Sequence, residues 1–355
     1  MASKKRATLR DVAQLAGVSL GTASRAVNLS GRVSPEAIAA VNKAAKHLSY
    51  EPDAIAQSMR KKTTGVIGLL VSEFANPLYA RIINAVEERL QARGYALLLA
   101  NTHNDSKREK AMIDLFKRRR IDGLILGPCE SETTQLMDGL LRERFPAIAL
   151  DRDFGECCSG VHVDHYSGAL NATRYLLNLG HRRIAILTSG SSLRPGRERI
   201  AGFTDAFAER GLKPHSKLIR SERSSMEFAF SESLALLSSK DSPTAFLCLG
   251  TRILSGVLQG LRYAGRSIPD DVSVISIGDT DLSKLFLPSI TSLTWDLDAV
   301  GTALAELLLK RIDPATEVEA ERLVITTELI LRESCMPLNK NLKNSRINIH
   351  KKAEA

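Results

Sequence analysis

The chain has 355 residues, 44% apolar and 25% charged, with 23 glycines and 12 prolines. That composition fits a folded protein of two or three domains and excludes a collagen-like or largely disordered chain. The formal charge of +9 sits mainly at the ends, with eleven Lys/Arg against four Asp/Glu in residues 1–63 and five against one in 339–355, around a slightly acidic middle. A basic head on a near-neutral body reads as an electrostatic module joined to a globular one. No apolar run reaches the 18 or so residues that cross a bilayer. Lys4-Lys5-Arg6 opens the chain, but Arg10 and Asp11 interrupt the apolar stretch a secretory signal needs, so a cytoplasmic protein is expected. Five cysteines without CxxC or Cys/His spacing make neither a disulfide framework nor a zinc site.

Thr8-Leu-Arg-Asp11 places a hydroxyl and a carboxylate three apart, a capping box for a first helix, and Leu9, Val12, Ala13 and Ala16 follow as an apolar stripe. Gly17 suits a tight turn because it accepts positive φ without steric cost. Ser19 caps a second helix in which Ala23, Ala26 and Val27 recur at helical spacing. Ser34-Pro35-Glu36 starts a third: a cap, a proline at the first helical position and an acid at the positive helix end. Its buried face is Ile38, Val41, Ala45 and Leu48.

Three short helices broken at Ala16-Gly17-Val18-Ser19 have the layout of a helix-turn-helix. In that layout the second helix enters the major groove N-terminus first, which brings Ser19, Leu20, Gly21, Thr22, Ser24 and Arg25 nearest to DNA. Arg25 suits either a bidentate contact to guanine, worth about 1–3 kcal/mol of discrimination, or a phosphate contact. Leu20 offers apolar contact to a thymine methyl, and Gly21 adds no side chain.

The segments TLRDVAQLAGVSLGTASRAVN and VSPEAIAAVNKAAKHLSYEPDAIAQSMR resemble, essentially without gaps over residues 8–60, the DNA-binding head and hinge of the lactose-repressor (LacI/GalR) family. The resemblance adds Thr8, Asn28 and Arg32 to the DNA-facing set, together with Ala56 in the hinge. Asp53–Arg60 reads as a helix too short to be stable alone in water. The resemblance implies that it orders on operator DNA and wedges a side chain, usually leucine, into the minor groove. The matching residue here is Met59, which either unstacks a base step or packs hinge to hinge in a dimer.

From Thr64 the pattern changes to strand–helix alternation. Strand runs at Gly65–Val71, Tyr95–Ala100, Gly123–Leu126 and Pro146–Leu150 are separated by helical periodicity over 77–93, 106–118 and 131–143. A second series follows at Arg183–Leu187, Leu218–Ile219, Ala245–Leu249 and Val272–Ile277. Two such series predict two parallel-sheet, Rossmann-like lobes with a ligand cleft at the C-terminal strand ends. FANPLYARIINAVEERLQARGY, RRRIDGLILG, LNLGHRRIAIL and RERIAGFTDAF resemble the effector-binding core of the same family over about 64–333.

The expected fold class is therefore α/β: an N-terminal three-helix helix-turn-helix head plus a two-lobed, periplasmic-binding-protein-like effector core. The expected boundaries are 1–50 for the head, 51–63 for the hinge and linker, 64–335 for the core and 336–355 for a basic tail without leucine heptads. Within the core, lobe 1 covers about 64–163 and 294–321, and lobe 2 about 164–293 and 322–335, with crossings near 163, 293 and 322.

The resemblance places Phe74, Asn76, Asp151, Arg199, Asp279 and Trp295 at the effector site. Arg199 suits either an anionic ligand group or a lobe-interface salt bridge. The chain departs from the family where Asn-Asp is usual and Gly250-Thr251 stands, where an aspartate is usual and Gly278 stands before Asp279, and where a glutamine is usual and Trp295 stands. Buried hydroxyls need matched partners, so a common hexose fits poorly and an apolar, aromatic or acidic metabolite fits better, with Trp295 either stacking on it or filling interlobe core.

Cys157-Cys158, the histidines at 103, 162, 165 and 181, and Ser189-Gly190-Ser191-Ser192 carry no redox, metal or phosphate-loop pattern, and no metal or cofactor is expected. The expected function is a transcriptional regulator, most often a repressor in this family. Its expected partners are double-stranded operator DNA, a second copy in a homodimer, and a small-molecule effector (sugar, sugar acid or other metabolite), with no membrane. A regulator with a degenerate, ligand-free pocket is the alternative. A solute-binding protein predicts a signal peptide and no basic head. An enzyme on these lobes predicts GxGxxG at the first strand–helix turn, which instead reads Ser72-Glu-Phe-Ala-Asn-Pro77.

Overall fold

A computed structural model describes residues 7–28, 31–50, 63–129, 136, 139–140, 142, 144–153, 158–222, 224–313 and 319–338. The chain divides into two units, residues 1–65 and 66–355. The hinge, with Ala56 and Met59, the basic tail from 339 onward and most of the predicted helix over 131–143 lie outside the described residues.

The first unit is a three-helix head: α1 (Leu9–Leu15), α2 (Leu20–Val27) and α3 (Pro35–His47). Each start follows from its cap. Thr8 and Asp11 exchange bonds in a capping box, Ser19 accepts the amide of Thr22, and Ser34 accepts that of Ala37 ahead of Pro35. Gly17, at φ +69, makes the turn between α1 and α2. Val12, Ala13, Ala23, Ala26, Val41 and Ala44 form a core of small side chains that lets the helices approach closely.

The second unit holds two six-stranded sheets. The first comprises β1 (Val66–Val71), β2 (Ala96–Asn101), β3 (Gly123–Leu126), β4 (Ala147–Leu150), β5 (Gly160–Val163) and β11 (Arg322–Ile325), in the order β11-β5-β4-β3-β1-β2. It carries α4 (Pro77–Gln91), α5 (Ser106–Arg118) and α11 (Leu297–Ile312). The second comprises β6 (Ile184–Ser189), β7 (Ile219–Glu222), β8 (Ala245–Leu249), β9 (Ser273–Ile277), β10 (Thr291–Thr294) and β12 (Glu328–Ile330), in the order β12-β10-β9-β8-β6-β7. Around it pack α6 (His165–Asn178), α7 (Arg194–Ala208), α8 (Met226–Leu237), α9 (Thr251–Tyr263) and the short α10 (Asp281–Leu285).

All strand pairings are parallel except β10 with β12. Strands covered on both faces read as continuous apolar runs, and β3, β4, β6, β8 and β9 are buried along their length.

The chain crosses between lobes after Val163, between Thr294 and Leu297, and between Ile325 and Glu328. The third crossing corrects the expected boundary near 322, because Arg322–Ile325 pairs in parallel with Gly160–Val163 and belongs to the first lobe. Among the described residues no helix is long and apolar enough to cross a membrane.

Candidate functional site

The head presents one helix end outward. Ala23 and Ala26 bury one face of α2, while Ser19, Leu20, Gly21 and Arg25 are exposed on the other, Leu20 by 47%. Ser19 is tied to Thr22 by both the helix amide and the hydroxyl, at 3.1 and 2.9 Å. Thr8 spends its hydroxyl on Asp11 at 2.8 Å. Asn28 closes α2 by donating its side-chain amide to the Ser24 carbonyl at 2.7 Å, so its visible work is capping. The aliphatic stem of Arg25 lies against Gly31, where a Cβ would meet its Cδ at 3.3 Å, and Arg32 is exposed nearby in sequence.

In the core, a cleft of about 510 Å³ opens between the lobes at the C-terminal ends of the strands. Asp151 follows β4 in the left-handed region at φ +49, a conformation aspartate tolerates better than most residues. Its carboxylate accepts the Val163 amide at 2.8 Å and His165 Nε2 at 3.0 Å. On the far side of the ring, Arg199 Nη2 lies 3.2 Å from His165 Nδ1, and Arg199 Nη1 donates to the Leu249 carbonyl at 2.9 Å.

Arginine only donates, so Nδ1 accepts and the imidazole proton sits on Nε2, facing Asp151. The relay thus joins lobe 1 to lobe 2 through a neutral histidine, which burial and then Arg199 hold below the ordinary pKa range. Burial works against the Asp151 carboxylate, but His165, the Val163 amide and Arg194 outweigh it and keep the pKa low. Burial also lowers Arg199 to about 10 and raises the Tyr79 hydroxyl to about 12.

Asn76, Asp151, Arg199 and Trp295 all line this cleft. Asn76 also caps α4, accepting the Leu78 amide at 3.0 Å. Trp295, on the second crossing, packs against the apolar cores of both lobes and stands edge-on to His165 with ring centroids 5.6 Å apart; it is cleft wall and interlobe core together.

Two expected residues fall outside the cleft lining. Phe74 is 43% exposed on the loop before α4. Asp279 is drawn to Arg332 and, at 3.2 Å, to Lys284, because Gly278 at φ +83 turns the chain as it leaves β9.

His165 and Ser189 line the cleft, whereas the sequence named them only as carrying no metal or phosphate-loop pattern and not as effector-site residues. Their signal is positional only, each standing at the C-terminal end of a strand or just beyond it. The buried atoms Arg199 Nε, Trp295 Nε1 and Ser189 Oγ have no hydrogen-bond partner among the described residues. No group of His, Cys, Asp and Glu able to hold a metal occurs among the described residues.

Residues 8–53 match the model of bacterial regulatory proteins of the lacI family, and residues 173–335 match the periplasmic binding protein-like domain. The HTH-type transcriptional repressor PurR of Haemophilus influenzae is 31% identical over 92% of this chain and 98% of its own length. Among solved structures, the transcriptional regulator CelR–cellobiose complex is 30% identical with a TM-score of 0.71 over 93% of this chain and 100% of that one. The lac repressor dimer bound to operator and the anti-inducer ONPF is 25% identical with a TM-score of 0.82 over 94% and 100%. A helix-turn-helix head with an exposed recognition helix, a two-lobed core with an interlobe cleft, and full-length relatives that are repressors together establish that the chain belongs to the LacI family of bacterial transcriptional regulators and is not an enzyme.

Proposed function

We propose that the protein acts in the cytoplasm as a repressor that binds a pseudo-palindromic operator as a homodimer, with an affinity set by a small molecule held in the interlobe cleft. Two-fold protein symmetry matches paired half-sites. In each half-site α2 lies in the major groove, Arg25 reads guanine, Leu20 touches an apolar base edge, and Thr8, Ser19, Thr22, Ser24, Asn28 and Arg32 hold the register through polar and phosphate contacts. Met59 keeps the minor-groove role, and Ala56 the DNA-facing place in the hinge, that the resemblance implies.

The observation that carries this reading is the face of α2: a capped helix start with Ala23 and Ala26 buried and Leu20, Gly21 and Arg25 outward. In the cleft, Arg199, Trp295, Asp151 and Asn76 form the effector site. The buried, unpartnered donors of Arg199 and Trp295 favour a ligand-responsive protein over one with a degenerate pocket. A ligand acts only through a difference in affinity between two lobe arrangements, which then differ in how they present the two heads.

Selection of DNA from a random pool by the purified protein at near-physiological salt tests the proposal. An enriched inverted repeat, with its half-site altered by Arg25→Ala, is expected. Recovery of no common sequence would overturn it.

A further inference from the structure

Around Arg199 the cleft sets buried hydrogen-bond donors beside acceptors that already hold a partner. Each Asp151 oxygen already accepts one bond, Oδ1 from the Val163 amide and Oδ2 from His165. The Leu249 carbonyl already accepts from Arg199 and Thr188, and Asn76 Oδ1 from the Leu78 amide. Gly250 and Gly278 bring no side chain to the cleft, and a Cβ at either would meet a side-chain end, Ser224 Oγ at 2.4 Å or a Leu78 methyl at 2.8 Å.

Three buried polar atoms there have no partner among the described residues: Arg199 Nε and Trp295 Nε1, which only donate, and Ser189 Oγ, which can donate or accept. Arg199 and Ser189 are each only 8% exposed. All three residues line the same cleft. Arg199 bonds the imidazole on which Trp295 stands edge-on, and also the carbonyl of Leu249, which pairs across the sheet with Thr188, the residue before Ser189. The direct partners of the buried guanidinium are a carbonyl and a neutral ring, so among the described residues no carboxylate touches it.

An ionised carboxylate accepts only, and its charge pairs with a buried arginine. A sugar hydroxyl both donates and accepts, and neither Arg199 Nε nor Trp295 Nε1 can receive its proton. Beyond these atoms the lining mixes apolar Leu78, Ile82, Leu193 and Ile277 with polar Ser72, Tyr79, Asn104, Ser224 and Ser225. The outer lining carries Glu73, Glu222 and Glu227 with Arg252 and His103, which opposes a second negative charge on the ligand.

We propose that the effector is a small monocarboxylate with an apolar, planar or branched body, its carboxylate seated on Arg199, Ser189 and Trp295. This rests on the reading of the cleft as the effector site. Calorimetric titration of the full-length protein tests it with benzoate, cinnamate, branched 2-oxo acids and linear monocarboxylates, each against its primary amide, alongside citrate, ribose, cellobiose and a set of nucleobases.

At least one monocarboxylate is expected to bind and its amide to bind at least tenfold more weakly. Trp295→Phe, which keeps the ring and removes the N–H, and Ser189→Ala are each expected to weaken the carboxylate by roughly tenfold, with circular dichroism confirming that both variants fold. Tight binding of a neutral sugar or a nucleobase, undiminished in both variants, would overturn the ligand class, as would binding by no monocarboxylate. Either result leaves operator selection by the wild-type protein untouched, so failure of the regulator reading shows separately as loss of selection.

Discussion

Glu109 and Arg152 are both 1% exposed and joined by two hydrogen bonds of 2.7 and 3.0 Å. A buried pair is weak evidence for stability, but half of one is costly. Arg152→Met is expected to destabilise the core by about 3–5 kcal/mol, and adding Glu109→Met to recover most of that, as read by urea unfolding. At the DNA face, Arg25→Ala is expected to lose about 1–3 kcal/mol of discrimination at one base pair per half-site, measured by competition among single-base operator variants. A mere phosphate contact would instead weaken all variants equally.

Local chemistry made some residues legible from the chain alone. The caps at Thr8, Ser19 and Ser34 work within three residues and stand where sequence placed them. His165 was opaque because its partners Asp151 and Arg199 lie 14 and 34 residues away and no spacing marks the set. Asp279 misled for the same reason: Arg332, 53 residues on, captures its carboxylate.

At the scale of elements, α7 is the informative case. Arg194 and Arg197 lie in its first turn, the positive end of a helix, where cations are disfavoured. Lobe 1 supplies the compensation. Arg197 pairs with Asp153, while Arg194 lies 3.8 and 3.9 Å from Asp151 and Asp153 and 2.6 Å from Glu198 within its own helix.

Burial ranks these contacts. Arg197 and Asp153 are half exposed, so Arg197→Ala is expected to cost the core under about 1 kcal/mol. Asp151→Asn keeps a residue that tolerates the left-handed backbone but weakens the bonds to His165 and Arg194, and is expected to cost about 1.5–3 kcal/mol in the same denaturation assay. The apolar strand runs exposed most of both sheets to sequence reading. β11 escaped it because it is an edge strand, with Leu323 and Val324 38% and 60% exposed and Ile325 packed against the lobe core. That is also why the third crossing was placed too early.

Over the whole molecule, buried histidines set a pH response. Burial, with Arg194 second, pushes His162 down to about 4, and burial likewise lowers His165 and His181. All three bind protons near pH 6.5 when unfolded but resist them when folded. Stability is therefore full above about pH 6.5 and declines as pH falls toward about 4, which melting temperatures of the protein across that range will read. A Tm unchanged between those limits would contradict the neutral relay through His165.

The basic head, by contrast, answers to salt, since each phosphate contact releases counterions. Sequence-specific operator binding joins both units in one function. The most direct measurement is fluorescence anisotropy of the selected operator against a scrambled duplex of equal length at about 150 mM salt. A preference of about a thousandfold or more for the operator is expected, falling steeply when one half-site is scrambled. Equal affinity for the two duplexes would contradict sequence-specific regulation.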